Sequence, residues 1–153
     1  MKRSAPFKWR TKASNLEWFR GRVSAYIPPS AIVKRDRWGN EPGAILAELI
    51  AFDWPVMIVR SSVADEDTVG SSSAGVYASI RDVSGTDQLS AAIDEVFASY
   101  GDHHGEDEEL FVQPMIHDAL LSGVAAGRDH LGGGPYRVIN WARGNDTSAV
   151  TSG

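Results

Sequence analysis

The stretch PVMIVRSSVADEDTVGSSSAGVYASIRDV, residues 55–83, decides how this chain is read. It opens with Val56, Met57, Ile58 and Val59, an apolar run with the length and β-branched character of a buried strand. The run stops at Arg60, Ser61 and Ser62, and an acidic cluster of Asp65, Glu66 and Asp67 follows. A loop of small residues over 70–75 leads to a second strand-like run over 76–83. A strand that delivers an arginine and two hydroxyls to its end, followed by a Gly/Ser loop, suits a phosphate group. Arginine offers a planar fork of donors to phosphate oxygens. Small residues let backbone N–H groups approach an anion closely. The simpler alternative is a β-hairpin with a long polar loop and a surface arginine.

Outward from this stretch, the chain has the size of one domain, 153 residues, long enough to bury roughly two thirds of its unfolded surface. Hydrophobic residues make up 42% and charged residues 23%, the balance of an ordinary globular chain. The net charge of −5 argues against a general nucleic-acid or anionic-membrane binder, which needs a basic surface. With no cysteine there is no disulfide, no thiolate catalysis and no Cys-ligated zinc. No run of about 18 apolar residues is present, so no transmembrane helix is expected, and the basic start lacks the apolar segment of a secretory signal. The expectation is a cytoplasmic chain.

On the N-terminal side, Leu16, Phe19 and Val23 recur at helical spacing in TKASNLEWFRGRV, with Lys12 at or before the helix start. A cation there is disfavoured by the helix dipole unless an anion binds beside it. Ile27, Pro28 and Pro29 read as a turn feeding a short strand through Ile32 and Val33. Trp38, Gly39 and Asn40 read as a turn, and residues 44–52 as a helix with Ile45, Leu46, Leu49 and Ile50 apolar. On the C-terminal side, Asp87 is the expected N-cap of a helix whose apolar stripe is Leu89, Ile93, Val96, Phe97 and Tyr100. Gly101 is its stop.

The acidic segment 102–109 carries His103 and His104, more simply read as solvated than as metal ligands. Residues 110–116, LFVQPMI, read as a strand whose proline restricts it to an edge or an end. Gln113 in its midst needs a polar partner. Further strands are expected around Ser122, Gly123 and Val124 and over Pro135 to Asn140, in hairpin-like succession.

Several of these blocks resemble the N-terminal ATP-binding domain of the phosphoenolpyruvate synthase and pyruvate phosphate dikinase family. They are Lys12-Ala13-Ser14-Asn15-Leu16, the proline-led strand at Ile27, Val59-Arg60-Ser61-Ser62 with Glu66-Asp67 and Ala74-Gly75, Gln113 with Met115 and Ile116, and Ser122-Gly123-Val124. They occur in the family's order across nearly the whole chain. The resemblance implies an α+β, ATP-grasp-like fold with a mixed or mainly antiparallel sheet flanked by helices, incomplete at the C-terminus. Residues 1–101 would form the phosphate-binding part and 110–153 the hinge strand and hairpin.

The resemblance further implies ATP and Mg2+ as cofactors. Lys12 and Arg60 would be the catalytic cations holding phosphates. Ser61, Ser62 and Gly75 would cover the phosphates, and Glu66 would orient Arg60 or sit near the metal, the structural alternative being an acid that only orders its loop. Gln113, Met115 and Ile116 would seat adenine. The implied function is the ATP-binding part of a phosphotransferase that phosphorylates a carrier histidine. Its partners would be a nucleotide and downstream phosphohistidine and acceptor domains, with no nucleic acid and no membrane.

Two departures from the family pattern stand against this. Arg10 and Thr11 replace the glycines that often precede the lysine, and Ala142 and Arg143 occupy the place of two acids after the PYRVIN strand. The first implies a different local backbone; the second, with the short length of the chain, motivates the alternative, a non-catalytic module that binds a nucleotide or a protein, a truncated or degenerate homologue.

Overall fold

Helix α4 (Gly85–Ala98) shows most directly how the chain builds its core. Leu89, Ala92, Ile93, Val96 and Phe97 are all buried, so its stripe faces inward. Tyr100 joins them just past the helix end, and Gly101 follows with φ +62, the left-handed conformation that glycine adopts without penalty. The N-cap is Ser84 rather than Asp87, which lies one turn inside, where an acid favours the helix dipole. The computed structural model describes residues 11–63, 77–101, 108–128 and 133–145. Among them the chain divides into two units, residues 1–115 and 116–153.

In the first unit α4 packs on a four-stranded sheet in the order β1 (Ala31–Lys34), β4 (Glu109–Pro114), β2 (Met57–Ser62), β3 (Ser79–Val83). All its pairings are antiparallel. The fold is α+β, with a mainly antiparallel sheet flanked by helices. Strand β2 runs on through Arg60, Ser61 and Ser62, beyond the apolar run that marks it in the sequence, because these residues pair with Phe111, Leu110 and Glu109. Proline at position 114 is the last residue of β4, where its missing N–H costs no internal ladder bond. β3 opposes β2 with a register shift near Asp82, whose φ is +58.

Strand alternation divides the sheet into two faces. Val33, Met57, Val59, Leu110 and Val112 fall on the face packed against α4 and belong to the main core. Short helices α2 (Arg35–Asn40) and α3 (Pro42–Ile50) complete it through Trp38, Ile45 and Leu49. The Trp38-Gly39-Asn40 segment is therefore helical, not a turn. Trp38 is buried and donates its indole N–H to Asp94 of α4 at 2.8 Å, which fixes the segment from outside.

The opposite face carries Ile58, Arg60 and Ser62 of β2 and Glu109, Phe111 and Gln113 of β4. Helix α1 (Lys12–Phe19) is joined to this face at Ser62 and Glu109. Its buried residue is Ala13, while Val23, expected on the apolar stripe, is exposed and lies past the helix end.

The second unit contains the antiparallel hairpin β5 (Leu121–Ala126) and β6 (Val138–Arg143). Gly123 stands opposite Trp141, and a Cβ there would come 2.5 Å from the carbonyl oxygen of Asn140. Among the described residues no helix is long and apolar enough to cross a membrane.

Candidate functional site

At the C-terminal end of β2, two distant parts of the sequence meet. The N–H of Ala13 donates to Ser62 Oγ at 2.9 Å. This bond sets Lys12, the first residue of α1, beside the strand end that carries Arg60 and Ser62. Lys12 and Arg60 are both half-buried. The Arg60 guanidinium lies 5.3 Å above the ring of Phe111, its cross-strand partner, which is fully buried. The ring face attracts the cation and holds it beside this strand end.

Beneath Lys12 lies a buried polar network that the sequence did not suggest. Thr11 caps α1, its Oγ1 accepting from the Ser14 N–H at 3.3 Å, and its hydroxyl donates to Glu109 Oε1. The Ser62 hydroxyl reaches the same carboxylate oxygen at 3.4 Å. The Tyr100 hydroxyl accepts from the Ser62 N–H at 3.2 Å and donates to the Glu109 carbonyl oxygen at 2.8 Å. Thr11, Ser62, Tyr100 and Glu109 are all buried. Each hydroxyl thus both donates and accepts, the condition under which buried polar groups are tolerated.

The sequence-predicted residues divide into groups. The Ala13–Ser62 bond brings the start of α1, with Lys12, to Ser62, and Arg60 precedes Ser62 by two residues on the same face of β2. Gln113 shares their sheet face and is buried, opposite Ile58 and four residues along β4 from Glu109, so about 13 Å away. Ser61 does not join them, since alternation turns it toward the α4 side, where it is buried opposite Leu110. Met115 is half-buried, and its N–H is taken by the Val56 carbonyl at 2.9 Å. Ile116 is exposed and is the first residue of the second unit. Glu66 and Gly75, like His103 and His104, lie outside the described residues.

Among the described residues no group of three His, Asp or Glu side chains is placed to hold a metal ion. Glu109, missed from the sequence, sits in a polar, acidic run; its hydrogen-bond partner Thr11 is far away in the chain.

A cavity of about 410 Å3 lies elsewhere in the first unit, bordered by Ile32, Ile45, Leu49 and Phe52 and by the Arg37–Glu48 ion pair. No sequence-predicted site residue lines it. Arg37 and Glu48 satisfy each other through two hydrogen bonds of 2.8 and 2.5 Å, so the apolar cavity is a poor host for a phosphate. Compared with known protein families, curated proteins and solved structures, the chain has no match.

Proposed function

We propose that the first unit is the nucleotide-binding part of a phosphotransferase similar to the phosphoenolpyruvate synthase and pyruvate phosphate dikinase family, with an ATP-grasp-like fold and ATP as ligand. One observation carries the reading: the Ala13–Ser62 hydrogen bond brings Lys12 to the strand end that holds Arg60. Two cations, one at the start of α1 and one on β2, suit the charge of a triphosphate, and phosphoryl transfer rests on positioning and charge neutralisation. Gln113, farther along the same face, supplies hydrogen-bonding groups for the base end of the nucleotide. In the full reaction ATP, with Mg2+, would pass its phosphoryl group to a carrier histidine outside this chain.

A binding module without phosphotransfer is the second reading, favoured by Ala142 and Arg143 on β6, where the family pattern has acids. Calorimetric titration with ATP, with and without Mg2+, tests the proposal. Saturable binding that Lys12→Ala and Arg60→Ala each weaken by about tenfold or more supports the site, since a charge-assisted contact is worth about 1.5–3 kcal/mol. A folded chain that takes up no ATP at millimolar concentration contradicts it. Phosphorylation of a supplied histidine carrier separates the enzyme from the module.

A further inference from the structure

We infer that Glu109 is a positioning residue: its buried carboxylate ties Thr11 to Ser62 and so fixes the first turn of α1, and Lys12 with it, at the end of β2. The inference deepens the nucleotide reading and rests on it for its second half.

Three amides at the start of α1 are already committed. Ala13 N–H goes to Ser62 Oγ, Ser14 N–H to Thr11 Oγ1 and Asn15 N–H to the Thr11 carbonyl. Both hydroxyls that take part converge on Glu109 Oε1. An anionic group therefore stands at the positive end of α1, and it belongs to the protein. A phosphate at this corner would meet the side chains of Lys12 and Arg60, and not the Ala13, Ser14 and Asn15 amides of the kind that ordinarily cradle an anion. The role of Glu109 is then to hold the platform that presents Lys12, its carboxylate oxygen engaged by the Thr11 and Ser62 hydroxyl donors.

Amide hydrogen exchange and ATP affinity, measured on the whole chain, test both halves. Glu109→Leu and, from the other end of the bond, Thr11→Val should accelerate exchange at Ala13 and Ser14 by roughly ten- to hundredfold. Glu109→Gln should do so less, because its amide oxygen still accepts. ATP affinity should fall in Glu109→Leu, less in Glu109→Gln, and the Glu109→Leu change in a Lys12→Ala background should add nothing, as expected of two residues acting as one unit. Wild-type protection at Ala13 in a folded Thr11→Val or Glu109→Leu chain would overturn the anchoring role. Additive losses of affinity in the double variant would overturn the link to Lys12. Accelerated exchange in a chain whose wild type binds no ATP would confirm the anchor and sink the nucleotide reading alone.

Discussion

The backbone N–H of Ala13 and the side-chain oxygen of Ser62 are hydrogen-bonded at 2.9 Å, joining the first turn of α1 to the last residue of β2. Ser62 is fully buried, so no water replaces the bond when the hydroxyl is removed. Ser62→Ala should destabilise the chain by about 1–3 kcal/mol, the cost of leaving a buried donor unpaired. Urea unfolding followed by tryptophan fluorescence measures it. A change within error of zero would mean that α1 is held by other contacts.

Tyr100 closes the same corner from the α4 side, bridging the Ser62 N–H and the Glu109 carbonyl. Tyr100→Phe keeps the ring contacts with Tyr77 and Phe97 while removing both hydrogen bonds. The expected loss is roughly 2 kcal/mol or more, because two backbone groups lose their partner together. Thermal unfolding of the variant beside the wild type reads it out.

In the hairpin, Gly123 is required by space rather than by dihedral angle. A methyl group there would meet the Asn140 carbonyl oxygen at 2.5 Å and the Trp141 side chain at 3.1 Å. Gly123→Ala should force the two strands apart, shifting the amide resonances of Asn140 and Trp141 while those of α4 stay in place. Unchanged hairpin resonances would contradict the register in which Gly123 faces Trp141.

Glu48 provides a pH test. A hydrogen bond from Arg37 holds its carboxyl below the ordinary value of 4.5; burial opposes the shift, and the charge of Arg37 adds to it. The folded value is depressed, so the stabilisation is present above the unfolded value and is lost as pH falls through the folded one. The pair is exposed, and its contribution is correspondingly small. Carboxyl NMR titration should show Glu48 returning toward the ordinary value in Arg37→Met, with a shallower acid limb of stability.

The parts of this fold legible in the sequence are those governed by neighbours along the chain. The stripe from Leu89 to Tyr100 announces α4, and Gly101 its end. Val56 to Val59 announces β2, though not its continuation through Ser62, which comes from pairing with β4. Trp38 was misread because Gly39 and Asn40 speak locally for a turn, whereas Asp94 on another helix decides the matter. The candidate site was legible as a set of residue types, Lys12, Arg60, Ser62 and Gln113, but not as an arrangement. The opposite facing of Ser61 follows from strand alternation once β2 is known to extend past Arg60. Glu109 was hidden because nothing beside it in the chain reveals that Thr11 will cover it.

Chemical-shift mapping of the folded chain with Mg-ATP tests the central claim most directly, because it locates the ligand as well as detecting it. The account predicts saturable shifts at Lys12, Ala13, Arg60, Phe111 and Gln113, on the sheet face opposite α4. Shifts confined to Ile32, Leu49 and Phe52 around the apolar cavity, or no shifts at millimolar nucleotide, would contradict it.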